Sequence, residues 1–261
     1  MSDPVEWRSL SGRLGASLAG PNGAHRFVFA HGFTQTSNAW KPIAEVLVHA
    51  GHQCIVVDLP GHGESANVRA DLRRTADMIA ALGGRASYVG YSLGGRAMLH
   101  VALMYPHLVQ HLTLIGTNPG IDDDGERSRR RESDDELAEH MMTIGMEPFL
   151  REWTALPLFG GIAISPDDLN DRMRNTTEGL ANSLRMAGTG AQGTLWPRLR
   201  ELNMPVLAIA GELDTKFAAI AQQIATLAPR SRCLLVPGAA HAAQLQQPTI
   251  VTDAIAAFED V

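Results

Sequence analysis

The sequence predicts a doubly wound α/β fold built on a mostly parallel sheet. Short runs rich in β-branched residues alternate with segments of helical periodicity, which indicates parallel strands joined by crossover helices. The strand runs are apolar at consecutive positions, as in strands that are buried on both faces. One long stretch, residues 118–192, has no strand run and interrupts the alternation.

Six segments have the composition of buried strands, and helical segments lie between them. The predicted strands are residues 26–30, 53–58, 86–91, 111–116, 205–211 and 232–237. The predicted helices centre on residues 40–49, 68–82, 94–105, 218–227 and 250–258. A chain of 261 residues is long enough for one such domain with an insertion.

The stretch 118–192 begins with an acidic turn and continues in amphipathic, helix-like segments. We interpret it as a helical lid inserted after the strand at 111–116. The core of the fold would then consist of residues 1–117 and 193–261.

Composition and charge exclude several classes of function. The formal net charge of −6 provides no basic surface for nucleic acid or for an anionic membrane. No window approaches the roughly 20 apolar residues that span a bilayer, and the N-terminus has no secretory signal. We therefore expect a cytoplasmic protein that inserts in no membrane. The sequence carries no signal for an oligomeric state.

The two cysteines and the absence of metal motifs bear on redox and cofactor chemistry. Cys54 and Cys233 both lie in strand-like runs, so we expect two buried thiols rather than a disulfide. The sequence has no CxxC or HExxH spacing. Neither a metal site nor a cofactor is predicted.

The strongest chemical signal is the segment Gly90-Tyr91-Ser92-Leu93-Gly94, which lies between a predicted strand and a predicted helix. A G-x-S-x-G pattern in this context is typical of the nucleophile elbow of the α/β-hydrolase fold, a strained turn that raises a serine hydroxyl above the sheet. Ser92 is therefore the candidate reactive serine. The two outer glycines would let the strand and the helix approach closely.

A reactive serine needs a histidine to take its proton and an acid to orient that histidine. In this fold the chain order is serine, acid, histidine. Asp214 follows the strand at 205–211 and His241 follows the strand at 232–237, so both should lie at the carboxyl edge of the sheet. Glu212 is a nearby competitor, but it lies closer to the strand. The predicted triad is Ser92, Asp214 and His241.

An oxyanion hole requires backbone N–H groups aimed at a developing negative oxygen. The segment Ala30-His31-Gly32-Phe33-Thr34 follows the first strong strand, where this fold supplies one donor. We predict the N–H groups of Phe33 and Leu93 as the two donors. The glycines of the loop 58–65 are interpreted as conformational rather than catalytic.

Five segments together resemble one branch of the α/β-hydrolase superfamily. They are GYSLGGR, HGFTQTSNAW, DLPGHGES, the NPG at 118–120 and GELDTKF. That branch is the 2-succinyl-6-hydroxy-2,4-cyclohexadiene-1-carboxylate (SHCHC) synthase family of menaquinone biosynthesis, and the resemblance covers nearly the whole chain. The arginine directly after SLGG, the arginine-rich start of the predicted lid and GLANSLRMAGTGAQ are its most particular features.

The resemblance implies a lyase that eliminates pyruvate from 2-succinyl-5-enolpyruvyl-6-hydroxy-3-cyclohexene-1-carboxylate to give SHCHC. Ser92 would act as a base, and the oxyanion hole would hold the enolate. The substrate is a small polycarboxylate, so the resemblance also implies arginines in the pocket. The positions that match the family pattern are Arg96, Arg130 and Arg174, with Tyr91 and Trp153 as aromatic lining.

Each of these substrate-binding residues has an alternative role. Arg130 belongs to a run of arginines and acids that would also form a solvated helix face with i,i+4 pairs. Arg96 and Arg174 would otherwise be exposed helix and lid-surface residues. Tyr91 and Trp153 would otherwise be ordinary packing residues.

Two other functions remain open at this stage. The first is a serine hydrolase, that is, a carboxylesterase, lactonase or carbon–carbon bond hydrolase that works through an acyl-enzyme. The second is a non-catalytic ligand receptor. The arginines discriminate between the lyase and the hydrolase, because a hydrolase for neutral esters would gain little from burying three cations. The intact Ser92, Asp214 and His241 argue against a receptor without forbidding it.

Overall fold

The computed structural model describes residues 3–162 and 164–260. In these residues, eight strands form one sheet with the order β1-β2-β4-β3-β5-β6-β7-β8. The bounds are Arg8–Ser9 (β1), Ala16–Ala19 (β2), Arg26–Ala30 (β3), Gln53–Val57 (β4), Ala86–Tyr91 (β5), Val109–Ile115 (β6), Val206–Gly211 (β7) and Ser231–Val236 (β8). The strands β3 to β8 pair in parallel, which confirms the predicted doubly wound, mostly parallel sheet.

Helices cover both faces of this sheet. Their bounds are Lys41–His49 (α1), Leu72–Gly83 (α2), Leu93–Met104 (α3), Asp124–Ile144 (α4), Met146–Thr154 (α5), Pro166–Arg172 (α6), Thr177–Ala187 (α7), Thr215–Leu227 (α8), Ala243–Gln246 (α9) and Pro248–Ala257 (α10). None of the helices in the described residues is long and apolar enough to cross a membrane.

The prediction missed the two N-terminal strands. β1 and β2 pair with each other antiparallel, and β2 continues antiparallel onto β4. β1 has only two residues, both exposed, and β2 has the sequence ASLA, which contains no β-branched residue. Neither segment carries the apolar, β-branched signal that identifies a buried strand.

The last strand is less buried than predicted. β8 ends the sheet and pairs only with β7, and both Arg232 and Cys233 are exposed. The prediction of two buried thiols is therefore wrong for Cys233, whereas Cys54 is buried in the central strand β4. An edge strand has one neighbour instead of two, so its side chains are covered less completely.

The side chains of β3 show how the sheet builds two cores. Phe27 and Phe29 point to one face, towards Trp40 and the helices α1 and α10. Val28 and Ala30 point to the other face, which is covered by α2 and α3. This alternation follows from the two-residue period of a strand. Each large apolar side chain buried in this way stabilises the fold by roughly 1.5 to 3 kcal/mol.

The chain between β6 and β7 contains the four helices α4 to α7. Their apolar faces form a third core that includes Met141, Phe149 and Leu184. Side-chain caps start α4 and α7: Asp123 accepts a hydrogen bond from the Glu126 N–H at 2.6 Å, and Thr176 accepts one from the Gly179 N–H at 3.0 Å. These helices lie within residues 118–192, the segment predicted to form a lid.

Candidate active site

Ser92 stands at the sharp turn between β5 and α3. Its φ of 51° lies in the left-handed region, which non-glycine residues seldom adopt. The turn is possible because its neighbours are glycines: a Cβ on Gly90 would lie 2.5 Å from the backbone of Gly94, and one on Gly94 would lie 2.1 Å from the Ala30 oxygen. The predicted strand–elbow–helix geometry is therefore present.

A series of hydrogen bonds joins Ser92 to the ends of β7 and β8. His241 Nε2 lies 3.4 Å from Ser92 Oγ, at the outer limit of a hydrogen bond, and Asp214 Oδ2 lies 2.8 Å from His241 Nδ1. His241 and Asp214 are both buried. The Nδ1–H donated to Asp214 leaves Nε2 as an acceptor for the serine proton. The competitor Glu212 is exposed and instead accepts a hydrogen bond from the Gly238 N–H at 3.4 Å.

Aromatic rings and the chain between α5 and α6 enclose His241. Phe217 lies against the imidazole with 4.3 Å between ring centroids, and Tyr91 lies at 5.4 Å. The backbone N–H of His241 donates to the backbone oxygen of Leu158 at 3.2 Å. These contacts fix the ring and restrict the access of water to it.

The predicted oxyanion donors belong to two segments that both line the cavity of Ser92, Phe33 in the turn after β3 and Leu93 at the start of α3. In the described residues, neither the Phe33 N–H nor the Leu93 N–H donates a hydrogen bond within the chain. Phe33 lies in a turn closed by the Gln35 N–H, which donates to the Gly32 oxygen at 3.2 Å. Its neighbour Thr34 has a φ of 68°, a conformation that costs about 1 to 3 kcal/mol in a non-glycine residue.

A cavity of about 400 Å³ opens above Ser92. The β-sheet side contributes Ser92, Phe33, Leu93 and His241, and the helices after β6 contribute Trp153 among others. The Trp153 ring meets Phe33 edge-on, with 5.2 Å between centroids. A cavity of this size suits a small molecule.

Arg96 is the most unusual residue of this cavity. Its side chain is buried, and Nη1 donates to the Ala187 oxygen at 2.7 Å and to Gln192 Oε1 at 3.2 Å. Among the residues that the structure describes, no carboxylate forms an ion pair with it. Burial, and next the neighbouring charge of Arg130, lower the pKa of Arg96 to about 10, so it stays charged at neutral pH. A buried cation without an acid favours an anionic ligand.

Two further arginines line the cavity, each with an acidic partner. Arg130 Nε lies 2.8 Å from Asp134 Oδ1, and its side chain is 43% exposed. Arg172 is buried, with Nε 2.8 Å from Asp168 Oδ2 and Nη1 2.6 Å from Thr34 Oγ1. Arg130 thus has both the i,i+4 pair of a solvated helix face and a place in the cavity.

Arg174 does not line the cavity of Ser92, contrary to the prediction. Its Nη1 lies 3.1 Å from Asp171 Oδ1, and it faces a separate polar cavity of about 260 Å³ beside Lys41 and Asp58. Arg174 lies two residues beyond the last residue of α6. Arg172 donates to Thr34 beside the cavity of Ser92, whereas Arg174, in the turn after the helix, pairs with Asp171 and lines the separate cavity.

Residues 27–254 match the model of the alpha/beta hydrolase family. The chain belongs to the alpha/beta hydrolase family. A provisionally named SHCHC synthase of Bacillus subtilis (strain 168) is 35% identical over 260 residues, with 94% of each chain covered. The SHCHC synthase of Salmonella paratyphi C (strain RKS4594) is 32% identical over 251 residues, with 92% of this chain and 95% of that protein covered.

Solved structures agree with membership of the alpha/beta hydrolase family. The structure of MenH from S. aureus has a TM-score of 0.87 and 29% identity, and covers 94% of this chain and 99% of its own. An esterase from Thermogutta terrifontis has a TM-score of 0.80 and 23% identity, with 97% of each chain covered. The likeness to the esterase shows the shared fold alone.

Two of the cations that line the cavity of this alpha/beta hydrolase were not predicted from the sequence. Arg172 stands in the same short segment, DRMRN, as Arg174, but it is the last residue of α6, whereas Arg174 lies in the turn that follows. Lys216 lies two residues after Asp214 and lines the cavity from α8, where its side chain is exposed. The predicted Tyr91 and Trp153 do line the cavity, and Tyr91 is almost fully buried.

Proposed function

We propose that this protein is an SHCHC synthase, a carbon–oxygen lyase that eliminates pyruvate from 2-succinyl-5-enolpyruvyl-6-hydroxy-3-cyclohexene-1-carboxylate. The observation that carries the proposal is the buried Arg96, which lines the cavity of Ser92 and has no carboxylate partner in the described residues. The identity to synthases of this name over more than nine-tenths of the chain supports it.

Ser92, His241 and Asp214 would remove the proton. His241 Nε2 takes the hydroxyl proton, and Asp214 stabilises the resulting imidazolium. Ser92 Oγ then takes the proton on the carbon next to the succinyl ketone. Electrons from the broken C–H bond move onto the ketone oxygen, which becomes an enolate between the N–H groups of Phe33 and Leu93.

Collapse of the enolate would complete the elimination. As its electrons return, the ring carbon–oxygen bond to the enolpyruvyl group breaks, and the conjugated diene forms. The imidazolium of His241 returns its proton to the leaving oxygen, so pyruvate departs as its enol. Removing a proton beside a ketone makes the same kind of oxyanion as acyl transfer, which is why hydrolase machinery suits a lyase.

The arginines would bind the carboxylates of the substrate. Arg96 provides a cation without an ion pair to the cavity, and Arg130 and Arg172 provide two more cations, each of which is also paired with an acidic side chain. Residues 118–192 would act as the lid that excludes water, and exclusion strengthens each charge pair. Tyr91 and Trp153 would pack against the ring of the substrate.

The test is to supply the enolpyruvyl substrate to the purified protein. Pyruvate should appear together with diene absorbance, in equal amounts, and Ser92→Ala should release neither. Absence of both products from wild-type protein, with brisk hydrolysis of a neutral ester and an acyl burst, would instead identify a serine hydrolase. A location in the cytoplasm and the absence of a cofactor remain predictions.

A further inference from the structure

Thr34 holds a conformation that its own side chain disfavours. It is the third residue of the turn from Gly32 to Gln35, where a type II turn requires positive φ and usually has glycine. A β-branched residue in the left-handed region persists only when the surroundings hold it there. Thr34 is fully buried, so these surroundings can be named.

The contacts that hold Thr34 come from residues 171–175, which we name the clamp segment. Asn175 Nδ2 donates to the Thr34 oxygen at 2.8 Å, and Arg172 Nη1 donates to Thr34 Oγ1 at 2.6 Å. Asp171 accepts from Thr36 Oγ1 and from Asn38 Nδ2, both at 2.6 Å. Every one of these bonds spans more than 130 residues of sequence.

Asn175 also joins the loop after β4 to the same turn. Its Oδ1 accepts a hydrogen bond from the Gly63 N–H at 2.8 Å, and its side chain is buried. Asp58, in the same loop as Gly63, accepts a hydrogen bond at Oδ1 from the Ser37 N–H at 2.6 Å. The single amide of Asn175 therefore connects three segments that are distant in sequence.

We infer that Asn175 is a positioning residue that assembles the oxyanion hole: it holds Thr34 in the left-handed conformation, and so sets the turn that carries the Phe33 N–H. The inference rests on the proposed role of Phe33 as an oxyanion donor. It follows that the clamp segment cannot lift from the sheet without disrupting the Phe33 turn. The clamp segment therefore docks against the sheet at the same time as the oxyanion hole is completed.

The test measures kcat and KM for Asn175→Ala, with Asn170→Ala as the matched control. Asn170 is exposed on α6 and outside the cavity, so its variant should resemble wild type. Asn175→Ala should lower kcat about 10- to 100-fold, part of the 100- to 1000-fold lost when an oxyanion donor is deleted, with KM within about threefold. Asn175→Asp keeps an acceptor for the Gly63 N–H but loses the donor to Thr34, so it should show the same loss.

A rescue variant separates positioning from general destabilisation. Glycine adopts positive φ without strain, so adding Thr34→Gly to Asn175→Ala should raise kcat at least about fivefold. Hydrogen exchange supplies a second measurement: the Gln35 amide should exchange faster in Asn175→Ala than in the control. A raised KM with unchanged kcat in both Asn175 variants, or no rescue by Thr34→Gly, would overturn the inference.

A substrate-independent reaction keeps this test separate from the proposed function. Labelling of Ser92 by a fluorophosphonate forms an Oγ–P bond, expels fluoride and needs the oxyanion donors, but it does not need the carboxylate-binding arginines. If wild type releases no pyruvate, the proposed function fails. The labelling rates of the same variants then decide the inference, with the same order expected: wild type and control fast, both Asn175 variants slow, rescue variant intermediate.

Discussion

The guanidinium of Arg96 donates to the carbonyl oxygen of Ala187 at 2.7 Å, and no carboxylate within the described residues forms an ion pair with it. Arg96 comes from the helix after the elbow, and Ala187 ends α7 in the segment after β6. The cation therefore lies where α3 and the proposed lid meet, and it lines the cavity of Ser92. A ligand carboxylate there would replace a neutral partner by a charged one.

Arg96→Ala should weaken turnover of the polycarboxylate substrate more than labelling by a neutral probe. A hydrogen bond to a charged group contributes about 1.5 to 3 kcal/mol, so kcat/KM should fall roughly 10- to 150-fold. Steady-state kinetics of pyruvate release would measure this. Arg151→Ala, an exposed arginine of α5 with one intrahelical partner, is the control. Equal losses in turnover and in fluorophosphonate labelling would contradict a carboxylate-binding role.

Ser92→Ala should abolish turnover and leave the fold intact. The hydroxyl contacts His241 at 3.4 Å and supports no other side chain in the described residues. Its loss removes the base for proton abstraction, which we expect to reduce kcat by at least about 1000-fold. Pyruvate release measures the activity, and thermal unfolding checks the fold. Substantial remaining turnover would remove Ser92 from the mechanism.

Arg172 and Arg174 should behave differently although they are two residues apart. Arg172→Gln removes a cation from the cavity and a bond to Thr34, so kcat/KM should fall at least about tenfold. Arg174→Gln changes only the separate polar cavity and an exposed pair with Asp171, which contributes about 1 kcal/mol or less to stability. Kinetics of both variants on the same substrate would test this. A larger loss in Arg174→Gln would restore the original prediction.

Acid should destabilise the protein through its buried histidines. Burial, and next the neighbouring His31, hold the pKa of His62 well below 6.5, and burial also lowers the pKa of His31. Below pH 6.5 the unfolded chain therefore binds more protons than the folded protein. The stability conferred by these neutral rings is fully present above that pH and decreases as pH falls towards the folded pKa values.

The quantity to measure is the slope of the unfolding free energy against pH. Each such ring contributes about 1.4 kcal/mol of unfolding free energy per pH unit in this window. Chemical denaturation between about pH 7 and pH 5.5 should show a shallower decline for His62→Gln than for wild type. The same slope in both proteins would mean that His62 takes up its proton in the folded state.

The two thiols should react at very different rates. Cys233 is exposed on the edge strand β8, whereas Cys54 is buried, and burial raises its pKa to about 12. A disulfide reagent should therefore label one thiol in the native protein and both after denaturation. Cys233→Ser should abolish the native reaction. Rapid native labelling of that variant would show that β4 opens to solvent.

The position of the reactive serine could be predicted from the sequence because the patterns that indicate it are local. The buried strand runs, the glycines around Ser92 and the positions of Asp214 and His241 just after two strands each depend on a few neighbouring residues. The order of serine, acid and histidine then followed from a fold whose strands end at one edge. The antiparallel strands β1 and β2 were missed because short strands without an apolar, β-branched run carry weak local signals.

The sequence by itself determined the parallel sheet, the elbow and the three residues that meet above it. Only the tertiary structure decided that Arg172 rather than Arg174 faces the cavity, that Cys233 is exposed, and that Asn175 reaches Thr34. The physical reason is that these features depend on packing. Periodicity and turn chemistry are properties of adjacent residues, whereas the direction of a side chain beyond a helix end, the exposure of an edge strand and contacts across more than 100 residues are set by packing.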